Sequence, residues 1–145
     1  MCTYVSKTST RDLLKRIREN KTKHIKAWKI VCLQEDGKLH SKKYTKTWKA
    51  GVNKSNSRRS ILPNFRDKYI DNGIHVYLEK PRCTDVWYRG GETILEVWCH
   101  ADDLISASHN FYWKRQVAVF MKVYVTKGAI EKAKKVSEFG YACST

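Results

Sequence analysis

His24 to Gln34 reads HIKAWKIVCLQ, the turn follows as Glu35-Asp36-Gly37-Lys38, and Leu39 to Trp48 reads LHSKKYTKTW; this stretch decides the fold. Its first run is rich in β-branched and aromatic residues, which suit a pleated, half-buried surface. Asp36-Gly37 is a strong turn signal, because Gly accepts the positive φ that tight hairpin turns demand. The second run alternates. His40, Lys42, Tyr44, Lys46 and Trp48 fall on one face, and Leu39, Ser41, Lys43, Thr45 and Thr47 on the other. Residues 24–48 therefore predict a β-hairpin, and with it an antiparallel sheet. The second strand is unusually polar, which suits an edge or a binding face.

Three more strands follow downstream. IHVYL (Ile74–Leu78) comes after Asn72-Gly73 and is closed by Pro81, and ETILEVWCH (Glu92–His100) is introduced by Gly90-Gly91. VAVFMKVYV (Val117–Val125) is the most apolar, so it is expected to be central and the most buried. Ser9 with Asp12 three residues on resembles a capping box, and Leu13, Leu14 and Ile17 make a stripe, predicting a helix over about 10–20. Thr126 caps a second helix over about 127–137, with Ala129, Ile130, Ala133 and Val136 on one side. Residues 49–60 (KAGVNKSNSRRS) read as the clearest loop, and 61–72 as a helical turn or irregular segment. The expectation is an α+β fold: a mostly antiparallel sheet of about five strands with a helix near each end. At 145 residues the chain is one domain, 1–145, with 1–8 and 138–145 expected to fray.

The charge is the loudest functional signal. Lys and Arg total 29 against 14 Asp and Glu, a formal charge of +15. It is also segregated: 19 basic against 5 acidic residues in 1–68, and 10 against 9 in 69–145. A core cannot use such charge, so an anionic partner is expected, with nucleic acid (DNA or RNA) first and an acidic protein face second. Nothing in the chain reads as a membrane span or basic amphipathic membrane helix, so no membrane partner is expected. The five Cys include no C-x-x-C pair, which favours reduced thiols and a cytoplasmic setting.

The order GIHVYL (73–78), ETILEVWCHADDLISA (92–107), AVFMKVYV (118–125) resembles small, poorly characterised bacteriophage-encoded proteins with a GIHVY-like strand, an xDLVA-like turn and a closing hydrophobic strand. AWKIV and the spaced Trp48, Gly51, Asn53 and Ser55 fit the same pattern. The resemblance implies a phage-type accessory protein in the host cytoplasm, either binding nucleic acid or modulating a host defence or transcription factor. More remotely, the strand order is similar to the NAD-binding core of ADP-ribosyltransferases. That likeness nominates His75, Tyr77 and Glu96 as catalytic candidates.

For nucleic acid, Lys and Arg serve phosphates and aromatic faces serve bases. Lys42, Lys43, Tyr44, Lys46, Trp48, Lys49, Lys54, Arg58 and Arg59 fall within one strand and the loop after it. The competing reading is a solvated edge strand defended by Lys against aggregation. Without a helix-turn-helix, zinc-finger or RNP signature, the expected contact is non-specific. Cys99, His100, Asp102 and Asp103 invite a zinc reading, but strand alternation sends Cys99 and His100 to opposite faces, so no metal is expected. No nucleophile elbow or phosphate-binding glycine loop is present. The sequence leans away from an enzyme, implies no cofactor, and leaves oligomeric state open.

Overall fold

Ser6, rather than Ser9, starts the first helix of the computed structural model, because its Oγ accepts the Ser9 N–H at 3.2 Å. The described residues are 3–4, 6–41, 46–55, 69–70, 73–110 and 115–139. Along the chain they form β1 (Thr3–Tyr4), α1 (Lys7–Glu19), β2 (His24–Leu33), β3 (Leu39–Ser41), β4 (Thr47–Trp48), β5 (Gly51–Lys54), β6 (Tyr69–Ile70), β7 (Ile74–Tyr77), β8 (Glu92–His100), β9 (Leu104–Asn110), β10 (Arg115–Phe120), β11 (Lys122–Val125) and α2 (Lys127–Phe139). Asn20 ends α1, and its side-chain amide donates to the His24 carbonyl at 2.9 Å, tying the helix to β2. Thr126 caps α2 as expected, its Oγ1 accepting the Ala129 N–H at 3.0 Å.

The turn of the leading hairpin forms, with Leu33 opposite Leu39 and Val31 opposite Ser41, but Leu39–Trp48 is not the single second strand expected: β4 runs back antiparallel along β3, setting Trp48 against Leu39. Its loop is wider than the Asp-Gly signal implies. Gln34 N–H donates to Lys38 O, and Gly37 takes the positive φ of 76°. The main sheet is antiparallel throughout, in the order β5-β11-β8-β2-β7-β10-β9, with β3 and β4 stacked along β2. That makes nine strands where the sequence suggested about five. The α+β class stands. The additions are short or built from small polar residues: Gly51–Lys54, inside the expected loop, pairs with β11, and LISASHN forms β9.

The apolar run 117–125 is not one strand. Met121 divides it, and β8, β2 and β7 stand between its two halves in the hydrogen-bonded order. Flat, neighbours about 4.8 Å apart would put β10 and β11 about 19 Å from one another. Two steps of about 3.8 Å between Cα atoms is all the chain has there. The sheet must curl until residues 115–125 bound it from both sides. A register shift between Val119 and Phe120 marks the irregularity, and Met121 is turned outward at 49% exposure. A 3-10 turn at Ala101–Asp103 makes the matching bend between β8 and β9, and Met121 N–H donates to Asp103 O at 2.8 Å.

One face of the curl is the core. Ile25, Ala27 and Val31 lie opposite Cys99, Val97 and Thr93, and these pack with Leu95, Val123, Val125, Val76 and Phe120. Leu13 and Ile17 of α1 and Ala133 of α2 close the cluster, and Thr93 Oγ1 donates to Ala133 O at 2.8 Å. The other face is divided. On β7, β10 and β9 it is buried as well, through His75, Val117, Val119, Ser106 and Ser108. On β2, β8, β11 and β5 it is open. Gly73, at φ 93°, is pressed into the buried half, where an added Cβ would lie 2.5 Å from Val119 Cγ1.

Cys32 and Cys99 are not in disulfides, but Cys83 is disulfide-bonded, correcting the expectation of reduced thiols throughout; its partner lies outside the described residues.

Val117–Phe120 are buried on both faces, at no more than 1% exposure, so half of the run keeps the expected burial, but β10 stands next to the edge strand β9 and the middle of the sheet is β2. Phe120→Ala should cost on the order of 3–5 kcal/mol in urea unfolding. A loss below about 1 kcal/mol would show that the site can collapse around the deletion. Gly73→Ala should destabilise more than Gly37→Ala, since both have positive φ but only Gly73 is crowded.

Candidate nucleic-acid interface

The hairpin residues divide on inspection. Lys42, Lys43, Tyr44, Arg58 and Arg59 lie outside the described residues. Trp48 is a correction: it is 3% exposed, with its indole N–H donating to Ser41 Oγ at 2.9 Å. It belongs to the core and presents no face to a base, because β4 pairs Trp48 with the buried Leu39. Lys46 donates to the Lys54 carbonyl and stands 5.5 Å from the Trp48 ring centre. Lys49 and Lys54 are exposed.

The residue that sequence reasoning missed in this quarter is Lys29. It sits opposite Leu95, hence on the core face, and its ammonium donates to the His75 carbonyl at 2.9 Å. The Trp48 ring lies 5.6 Å from the same ammonium. Burial, with the Lys46 charge adding to it, pushes its pKa down from 10.5 to about 8. The edge of β2 passes from β7 to β3 in this region, as Trp28 pairs with Tyr77 and Val31 with Ser41.

Alternation in β2 and β8 could have found the second surface. Pairing sets His24 against His100, Lys26 against Trp98 and Trp28 against Glu96. Tyr124 lies beside Trp98, Val52 beside Tyr124, and Lys54 beside Lys122. All of these side chains point away from the core. Tyr124 and Val52 are 49% and 50% exposed. Trp28 and Trp98 are half-buried. Lys26 reaches Glu96 at 3.4 Å and lies 5.2 Å from the Trp98 ring centre. At one end the basic turn of Arg18, Lys21 and Lys23 borders the strip. Lys23 takes a left-handed φ of 55°, held by Lys23 N–H to Asn20 O and Ala101 N–H to Lys23 O.

At that end the face sinks into a groove of about 380 Å3, lined among others by His24, Trp98, His100, Asp103, Lys122 and Tyr124. The imidazoles of His24 and His100 meet edge to face, 4.6 Å between centres. His24 Nδ1 donates to Thr22 O at 2.6 Å, and His100 Nδ1 accepts the Asp102 N–H at 3.0 Å. Asp103 is only 16% exposed in its side chain, and the nearest cation is Lys122 at 3.9 Å. Burial pushes the Asp103 carboxyl above its usual range, against the pull of Lys122. Cys99 faces the core, where burial pushes its thiol up, so it stands on the opposite side of the strand from His100.

Of the nominated catalytic trio, His75 is buried at 6% exposure and Tyr77 is half-buried on the same face. Glu96 shares that face too, but Trp28 stands between it and Tyr77, and Lys26 pairs with it.

Lys29 gives the region a pH signature. Its folded pKa lies below its unfolded one, so from about pH 8 upward the unfolded chain holds the extra proton. Stability contributed by this group should therefore rise between about pH 8 and pH 10, and Lys29→Met should abolish that part of the rise in denaturant titrations. An identical pH slope in both proteins would show that Lys29 titrates normally.

No protein-family model matches the chain, and neither the curated proteins nor the solved structures yield a match to it.

Proposed function

We propose that the chain binds single-stranded nucleic acid across the open outer face of β2, β8, β11 and β5. The observation that carries this reading is the outward-facing strip of half-buried Trp28 and Trp98 and exposed Tyr124, interleaved with Lys26, Lys54 and Lys122 on an uncovered sheet. Aromatic faces stack on unpaired bases with little regard to sequence, while flanking ammonium groups take the phosphates. A duplex hides its base faces, so it could use only the ammonium groups. The Arg18, Lys21 and Lys23 turn extends the phosphate track at one end, and the overall +15 charge draws the strand in. The basic hairpin and its loop, 40–59, would add contacts on a neighbouring edge. In this reading the protein is a phage-type accessory factor, with no cofactor and no chemistry of its own. An acidic protein partner is the competing use of the same charge, and it would have no need of the aromatic strip.

Fluorescence anisotropy with labelled oligonucleotides tests this. The full chain should prefer single strands to duplex of equal length, with affinity falling steeply as salt rises. Lys26→Gln with Lys54→Gln should flatten the log–log salt slope by about 0.7 per lost phosphate contact. Tyr124→Ala should cost about 1–3 kcal/mol of affinity while leaving that slope unchanged. A preference for duplex, or indifference to both sets of changes, would overturn the outer face as the binding surface.

A further inference from the structure

In a chain with twice as many basic as acidic residues, the groove beside the phosphate track contains two adjacent carboxylates, Asp102 and Asp103. They would repel a phosphate, so this part of the face is unsuited to backbone contact. Asp102 is largely in solvent, with its side chain 80% exposed, and it stays near His100. Asp103 is different: it is mostly enclosed, it faces the groove, and its one ion-pair contact among the described residues is the loose 3.9 Å approach to Lys122. A carboxylate has two oxygens and several lone pairs to fill, and Asp103 is one of the residues lining the groove.

Trp98 and Tyr124 form the aromatic side of the same groove, being cross-strand neighbours on β8 and β11. The volume of about 380 Å3 falls in the range of small-ligand sites. Taken together, the groove offers a flat aromatic surface, a pair of acceptors from Asp103 and an adjacent donor from Lys122. A planar ring with one acceptor next to two donors would match it.

We propose that the groove is a guanine-selective pocket that takes one base of the strand crossing the outer face; this rests on the nucleic-acid reading above. The Watson–Crick edge of guanine presents O6 as acceptor and N1–H and N2–H as neighbouring donors. Asp103 accepts from N1–H and N2–H through its two oxygens, Lys122 donates to O6, and the ring stacks against Trp98 and Tyr124. Adenine and cytosine each offer the carboxylate a single exocyclic amino group. Uracil and thymine place a carbonyl on either side of their one N–H, so the second carboxylate oxygen meets an acceptor. Guanine alone uses all three groups. His24 and His100, at the rim, are left for the sugar or the adjoining phosphate.

The experiment uses the full chain and labelled oligouridine strands that differ in one central base. Wild type should bind the guanine-containing strand about tenfold or more tightly than the others at fixed salt. Asp103→Asn should erase the preference, since its amide points donors at donors, while affinity for the all-uridine strand and its salt slope persist. Lys122→Met should reduce the guanine preference as well. Guanosine monophosphate should displace the guanine strand at lower concentration than adenosine monophosphate does. Equal binding of all four strands, or preference for another base, overturns the pocket and leaves the nucleic-acid reading standing. If no strand binds at all, both fall. The base comparison on wild type keeps the test decisive even if a variant folds poorly.

Discussion

Met121 is the residue on which the arrangement turns. In an unbroken strand, Phe120 and Val123 would point to opposite faces, three positions apart. Here both are in the core, at 0% and 2% exposure, because the irregularity at Met121 inserts one residue into the alternation. A single-residue slip moves every following side chain to the other face. Without it, Val123 and Val125 would be outside, and Lys122 and Tyr124 would face the core. The same residue supplies the bend that lets 115–125 serve two distant positions in the sheet. Fold closure and the make-up of the outer face are therefore one event, fixed from the partner side by the Met121 N–H to Asp103 O bond.

That closure also explains why only half of the outer face is open. On β10 and β9 the outward positions hold Val117, Val119, Ser106 and Ser108, small or aliphatic residues that tolerate being covered, while β7 contributes buried His75 and half-buried Tyr77. On β2, β8, β11 and β5 the outward positions hold Lys, Trp, Tyr and His, whose polar ends need solvent or a ligand. The boundary runs along β2 and β7, where Trp28 meets Tyr77. Lys29 lies beside that boundary with its ammonium turned inward, satisfied by a carbonyl of β7 and an aromatic ring of β4. A buried cation held this way is a conformational constraint as much as an attraction, since removing its partners would leave the charge uncompensated.

The sequence was readable where a local signal and burial agreed. ETILEVWCH is introduced by Gly90-Gly91, and it forms β8 over the expected residues. The Thr126 cap and its stripe gave α2, and the hairpin gave β2 with β3. Three things were hidden. VAVFMKVYV carries no mark of a break, because Met is as apolar as its neighbours; only the alternation Val123, Val125 against Lys122, Tyr124 hints at it. Gly51–Lys54 and LISASHN lack the bulky residues that announce a strand, and their pairing is set by the partners β11 and β10. Trp48 was misplaced for a related reason. Trp48 sits among lysines in the sequence, but β4 places it against Leu39 in the core. Trp28, Trp98 and Tyr124 lie in strands 24–33, 92–100 and 122–125, and they come together on one face only when those strands pair.

Charge and shape then take different parts in recognition. A net charge of +15 speeds encounter with any polyanion and is blunted by salt, so it cannot discriminate between strands of different sequence. Discrimination needs a desolvated polar group that the wrong ligand leaves unpaired. Asp103 meets that requirement because it is enclosed and loosely paired, whereas Glu96, nearby on the same face, is already held by Lys26. Burial is the largest influence on the Asp103 carboxyl and raises its pKa against the pull of Lys122.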